Sequence, residues 1–317
     1  MRVVFVMDPV SSIVLEEDTS FALMLAAQER GHRVDHCLVT DVWLDGSRVA
    51  ARVRPATMRR DPSLPVRLGE AEDVELSDVD VVMIRKDPPF DVQYLWLTLV
   101  LEHLRGTTLV VNDPRGLREC NEHLYANYFP EVIPETAVTA DKARIKEFMT
   151  RVGGRAILKP VDGFAGDKIF LLSKGDPNLN SVIETITKGG SSMVIVQEYL
   201  PQVRQGDKRV LLLDGEPLGA ILRIAPEEEV RSNIHVGGTV AAGELDDADH
   251  RIVEAVAPRL RQDGLWFVGL DVIGGKLTEL NVTSPTGIQQ MSRLMGEDLS
   301  GRAIAWLERR VESGATP

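Results

Sequence analysis

The sequence predicts an α/β and α+β protein: a doubly wound parallel-sheet domain at the amino terminus, followed by hairpins mixed with helices that include a small lobe. Strand and helix signals alternate over roughly the first hundred residues. From Pro134 onward that alternation gives way to hairpin signals. The length of 317 residues also exceeds what a single core fills, since cores stop growing near ~250 to 300 residues.

Val3 to Met7 is a continuous apolar run, as a strand buried on both faces should be. Glu17 to Arg30 carries Phe21, Met24 and Leu25 at helical spacing, and Gly31 stops it. Arg33 to Val39 reads as the next strand. Val42 to Arg54 reads as a hairpin around Asp45-Gly46, a pair suited to positive φ. The strand Val79 to Ile84, the helix Asp91 to Arg105 and the strand Leu109 to Val111 complete the βαβ pattern. Met7-Asp8-Pro9 stands where a Gly-x-Gly-x-x-Gly turn would follow the first strand, which disfavours dinucleotide binding.

In the second region Asp141 is placed to cap a helix to Val152, and Gly153-Gly154 ends it before the strand Ala156 to Lys159. A Gly-bearing turn from Asp162 to Asp167 leads to the strand Lys168 to Leu172. A helix over Leu179 to Thr187 and a strand over Met193 to Glu198 follow. Arg209 to Leu213 and Pro217 to Arg223 flank Asp214-Gly215, a second hairpin signal. Ile224 to Gly238, with the acidic run Glu227 to Glu229, reads as a polar, mobile loop. The helix Asp246 to Asp263, the strands Trp266 to Ile273 and Lys276 to Val282 about Gly274-Gly275, and the helix Leu299 to Val311 close the chain.

Bulk properties exclude several classes of function. A net charge of −12 argues against a nucleic-acid partner, which needs a clustered basic surface. No run approaches the ~18 apolar residues of a membrane span, and the first residues lack the features of a signal peptide. A cytoplasmic protein is expected. Cys37 and Cys120 have no cysteine or histidine beside them at metal-ligand spacing and read as buried free thiols.

Against this acidic background the residues that could meet an anion are informative. Asp271, Glu279 and Asn281 are oxygen-bearing side chains in strands that should otherwise be apolar, and residues 279 and 281 share a face. A three-residue loop with a bulge would set Asp271 opposite Glu279; a two-residue turn at Gly274-Gly275 would set it opposite Thr278. The odd-length loop is expected. Hard oxygen donors of this kind suit magnesium, although a plain ion-pair network would use the same residues. Lys159 precedes the turn bearing Gly163 and Gly166, whose backbone amides could hold triphosphate oxygens; an ordinary hairpin loop has the same signature. Hairpin pairing about Asp214-Gly215 places Arg209 near position 220, with Arg223 close to the same end of the ladder. Two guanidiniums there could stabilise charge on a transferring group, or simply form an exposed strand end. Arg85 and Lys86 follow a strand at the carboxyl edge of the sheet, as substrate contacts or as a solvated loop with a salt bridge.

Several strings resemble the bacterial glutathione synthetase family, part of the wider ATP-grasp superfamily. They are Val6 to Pro9, Met83 to Asp91, Cys120-Asn121-Glu122, Leu158-Lys159-Pro160 with Asp162-Gly163, Gly206 to Val210, Phe267 to Asp271 and Thr278 to Thr286. The resemblance implies a substrate domain over 1–122, a small ATP-grasp lid lobe over 123–200 and a large lobe with the metal site over 201–317. It implies ligation of γ-glutamylcysteine and glycine, driven by ATP through an acyl phosphate. By the same likeness Asp271, Glu279 and Asn281 hold Mg2+, or Mn2+, and Lys159, His123, Gly163, Gly166 and Asp207 serve the nucleotide. Gln197, Glu198, Tyr199 and Leu200 line the adenine pocket, and Arg209 and Arg223 act on the reacting groups. Ser12, Asp18, Ser20, Arg85, Lys86, Ser284, Pro285 and Thr286 form the peptide site. A homo-oligomer, tetramer or dimer, is implied as well.

Two departures stand out. The family commonly has lysine where this chain has His123, and the lid turn has fewer glycines than expected. Two other functions share these motifs: another ATP-grasp carboxylate–amine ligase, and a nucleotide-binding protein without turnover.

Overall fold

A computed structural model describes residues 1–163, 166, 168–224 and 239–314. Its first sheet is built on the apolar strand β1 (Arg2–Met7), followed by helix α1 (Thr19–Glu29) and strands β2 (Arg33–Cys37), β3 (Val42–Asp45), β4 (Arg48–Met58), β5 (Val66–Leu68), β6 (Glu72–Glu75) and β7 (Val81–Arg85). Helix α2 (Val92–Leu101), strand β8 (Leu109–Val111) and helix α3 (Pro114–Glu119) complete this part. β1 lies between β2 and β7, all parallel, and β8 extends the parallel set. The parallel core is thus four strands. β3, β4, β5 and β6 extend it as an antiparallel edge. The first hairpin turns on Gly46-Ser47, one residue later than expected, because Asp45 pairs with Arg48.

The second sheet has four strands, β9 (Thr136–Thr139), β10 (Arg155–Pro160), β11 (Phe170–Ser173) and β12 (Val194–Glu198), with helices α4 (Lys142–Arg151) and α5 (Leu179–Ile186). The third holds β13 (Asp207–Leu213), β14 (Glu216–Ile224), β15 (Thr239–Ala242), β16 (Phe267–Ile273) and β17 (Lys276–Asn281) in the order β15-β14-β13-β16-β17. Helix α6 (Asp247–Gln262) packs beside it, and α7 (Ile288–Met295) and α8 (Leu299–Glu312) end the chain. The mobile-loop expectation at 224–238 lies outside the described residues except for Ile224, which ends β14; Phe164, Ala165 and Asp167 of the lid turn lie outside them too.

Aspartate starts most of these helices. Asp18, Asp91, Asp113, Asp141, Asp246 and Asp298 each accept a backbone N–H in the first turn, each such cap contributing about 1 kcal/mol. Apolar side chains of the first and third sheets merge into two shared cores, whereas the four-stranded lobe has a core of its own. Asn112 joins the first and third sheets: its amide donates to the carbonyls of Phe267 (2.8 Å) and Val282 (2.7 Å) and accepts from the Phe267 N–H (2.8 Å). Cys37 and Cys120 are buried free thiols, and burial pushes the pKa of both upward.

Candidate active site

Two β-bulges set which side chains share a face of the third sheet. Both of its tight hairpins turn on two residues with positive φ, Asp214-Gly215 (54° and 72°) and Gly274-Gly275 (56° and 73°). A flush ladder from Gly274-Gly275 would pair Asp271 with Thr278. Instead the register shifts after Val272, Thr278 is the extra residue, and Asp271 faces Glu279. The pairing is the expected one, but it arises from a bulge inside the ladder and not from an odd-length loop. The same device corrects the other hairpin: a shift between Leu211 and Leu212 leaves Leu218 unpaired and sets Arg209 opposite Ile221, not 220. Because strand side chains alternate, that single residue brings Arg223 onto the face of Arg209.

Cross-strand pairs Arg209–Asp271, Asp207–Arg223, Asp271–Glu279 and Gly269–Asn281 therefore line up on one surface. Arg209 grips Asp271 with a fork of two bonds, Nε to Oδ1 and Nη2 to Oδ2, the latter 3.0 Å. Arg223 bonds Asp207 and reaches Asp271 Oδ2 at 3.0 Å. Burial alone would raise the Asp271 pKa, but Arg209 and Arg223 outweigh it and hold the carboxyl well below the usual range. Burial would lower the pKa of Arg223, and Asp271 with Asp207 raises it instead. For Glu279, burial and the nearby Asp271 both push upward.

Lys159, at the end of β10, brings the small lobe to this surface: its Nζ donates to the Thr278 carbonyl at 3.3 Å. Burial lowers its pKa. His123 lies beside it, with Nε2 3.0 Å from the Gly163 carbonyl and Nδ1 3.7 Å from Glu279 Oε2. Burial, aided by the charge of Lys159, lowers the His123 pKa to about 3. The imidazole is therefore neutral at pH 7 and adds no positive charge beside Lys159.

These groups line one cavity of about 490 Å³ between the three sheets. All the expected site residues line it except Lys86 and Pro285. Lys86 is held outside by Asp8, its Nζ 3.0 Å from Oδ1, and by the Asp87 carbonyl at 2.8 Å; the salt-bridge alternative describes it. Pro285 presents its carbonyl to Arg85 Nη2 at 3.0 Å. At the far end Gln197 is tied to Thr136 Oγ1 (3.0 Å), and the Glu198 N–H is engaged by the Glu135 carbonyl (2.8 Å). Tyr199, stacked under Arg155 at 4.0 Å, and Leu200 complete that wall.

Sequence reasoning gave no role to Glu122 or Gln290. Glu122 Oε1 accepts from the Val282 N–H (2.7 Å), the Thr283 N–H (2.9 Å) and Thr283 Oγ1 (3.0 Å), fixing the turn that follows Asn281. Its signal was its place in the string Cys120-Asn121-Glu122. Gln290 lines the cavity from α7, and nothing local distinguished it from a solvated helix residue.

A doubly wound domain, a four-stranded lobe and a five-stranded sheet around one cavity with arginine, lysine and carboxylate groups define an ATP-grasp ligase. The fold is similar to that of D-cycloserine synthetase DcsG, with a TM-score of 0.66 at 17% identity over 97% of this chain and 99% of that one. Residues 1–118 match the prokaryotic glutathione synthetase N-terminal domain, and residues 122–296 match its ATP-grasp domain. The glutathione synthetase of Vibrio parahaemolyticus is 43% identical over 309 residues, 97% of this chain and 98% of that protein. That of Thermosynechococcus vestitus is 45% identical over 317 aligned positions, 97% and 99% of the two chains. The chain belongs to the prokaryotic glutathione synthetase family. Among the described residues no helix is long and apolar enough to cross a membrane.

Proposed function

We propose that this chain joins γ-glutamylcysteine to glycine with ATP, through an acyl phosphate, releasing glutathione, ADP and phosphate. The observation that carries this reading is the gathering of Arg209, Arg223, Asp271, Glu279 and Asn281 on one sheet face, with Lys159 reaching it from the opposite lobe. The cysteinyl carboxylate oxygen attacks the γ-phosphorus, and the bond to the bridging oxygen breaks to release ADP. The glycine amine then attacks the acyl carbon, loses a proton, and the carbon–oxygen bond breaks to release phosphate. Arg209 and Arg223, oriented by Asp271 and Asp207, stabilise the negative charge that develops on the transferring groups. Lys159 binds phosphate oxygens, Tyr199 and Leu200 hold the base, and closure of the lobe excludes water from the acyl phosphate.

The donor set fits a hard divalent cation. Glu279 and Asp271 are adjacent carboxylates, burial and Asp271 raise the pKa of Glu279, and Asn281 adds an amide oxygen on the same face. Among the described residues no group of three or more His, Cys, Asp or Glu side chains is arranged for a metal, so two carboxylates and one amide would leave other positions to nucleotide phosphates and water. Asp271, Glu279 and Asn281 would hold magnesium. When bound, the ion neutralises phosphate charge.

Phosphate release tests the reaction. It is expected to require ATP, γ-glutamylcysteine and glycine together, and to fall by at least roughly 10³-fold in Glu279→Gln. Release that ignores glycine, or is supported equally by other amino acids, would end the assignment.

A further inference from the structure

Among the described residues that line the cavity, His123 is the one histidine. It is 7% exposed, and its two ring nitrogens meet different surroundings. Nε2 lies 3.0 Å from the Gly163 carbonyl; a carbonyl oxygen only accepts, so this nitrogen carries the ring hydrogen. Nδ1 is left with the free lone pair. It is buried, has no hydrogen-bond partner among the described residues, and lies 3.7 Å from Glu279 Oε2. At that distance the two are not hydrogen-bonded. A buried lone pair facing a carboxylate oxygen is unfavourable unless something positive stands between them. Lys159 acts on both groups through space, but its Nζ donates to the Thr278 carbonyl.

A divalent cation suits this gap. Two donors each about 2.1 Å from one ion stand roughly 3 to 4 Å apart. Ligating histidines characteristically donate their other ring N–H to a carboxylate or a backbone carbonyl, which fixes the tautomer; Gly163 gives His123 that second bond. The ring is also carried on a segment tied to β17, the strand of Glu279 and Asn281. The Glu122 carbonyl accepts the Leu280 N–H (3.2 Å), Glu122 Oε1 accepts the Val282 N–H (2.7 Å), and the His123 N–H meets Asn121 Oδ1 (3.2 Å). The lysine common in the family at this position would bring an ammonium, which repels a metal ion. His123 brings a lone pair instead.

We propose that Nδ1 of His123 is a direct ligand of the divalent cation at Glu279, a nitrogen donor that turns the site's preference from Mg2+ toward Mn2+ and Co2+. Magnesium takes oxygen donors, whereas imidazole suits transition ions, with affinity rising from Mn2+ to Co2+. Asn281, on the face of Glu279, and nucleotide phosphates supply further donors. This inference rests on the cation site proposed above.

Pulsed EPR of Mn2+ and ADP bound to the whole chain, with histidine labelled by nitrogen-15, tests it. Wild type should show a coupling from directly bound nitrogen that changes with the isotope, and His123→Gln should lose it. Bound Mn2+ without a histidine coupling overturns the proposal and leaves an all-oxygen site standing. If calorimetry finds that neither Mn2+ nor Mg2+ binds with ADP, the cation site itself falls, and this proposal with it. The same titrations give the ratio of Mn2+ to Mg2+ affinity. It should drop by about tenfold or more in His123→Gln, which keeps an N–H for Gly163, and in His123→Lys. Equal weakening of both ions would mark His123 as a structural residue and overturn the proposal. Should neither variant fold, the isotope measurement on wild type decides.

Discussion

Asp271 stands between two guanidiniums, and its removal costs the two arginines unequally. Arg223 keeps Asp207, but Arg209 loses the only carboxylate that meets it in the described hydrogen bonds. Breaking one side of a buried pair leaves an uncompensated charge and typically costs about 3 to 5 kcal/mol. Asp271→Asn should therefore lower stability by an amount near that range in urea unfolding and remove ligase activity. An unchanged midpoint would mean that Arg209 re-pairs or is already hydrated. At this scale the sequence exposed the charged residues because each interrupts an apolar strand. It could not expose the cavity position of Gln290, or the bonds by which Glu122 holds Val282 and Thr283, since both depend on packing against segments distant in the chain.

At the scale of elements, helices and turns were legible wherever one residue type does a local job. Asp141 before α4 and Asp214-Gly215 between β13 and β14 are such cases. The bulges at Leu218 and Thr278 were not, since neither residue has side-chain chemistry that demands a bulge; the demand comes from the third-sheet face that must hold the charges. The docking of α8 on α1 was equally invisible. It is fastened at its rim by Glu308, which accepts from His32 Nε2 (2.7 Å) and Arg30 Nε (3.0 Å). Arg30 above all lowers the Glu308 pKa, to about 2. A carboxyl whose folded pKa lies below its unfolded value stabilises the fold above that unfolded value, 4.5 here, and loses the effect as pH falls toward 2. Glu308→Gln should lower Tm by about 2 °C at pH 7, as a partly exposed ion pair would. The gap between variant and wild type should shrink in thermal melts taken stepwise below pH 4.5.

Across the whole molecule the three sheets are unequally joined. The first and third share both large cores, so neither can open without exposing apolar surface of the other. The four-stranded lobe keeps its core within residues 145–196. It reaches its neighbours through hydrogen bonds such as His123 to Gly163, Asn121 to Val161 and Lys159 to Thr278. Units with their own core and few outside bonds open separately, at lower free energy than the rest. Hydrogen exchange on the ligand-free protein should accordingly be faster in β10 and β12 than in β1 and β16. A nucleotide held between Lys159 and the Asp271 surface would tie the lobe to the third sheet, and occupancy at a hundredfold over Kd adds about 2.7 kcal/mol to the closed form. ADP with magnesium should then slow exchange in β10 and β12 by roughly tenfold or more while β1 barely changes. Equal protection of both sheets before nucleotide is added, or a uniform response afterwards, would show that the lobe is held by more than these bonds and that nucleotide does not close it.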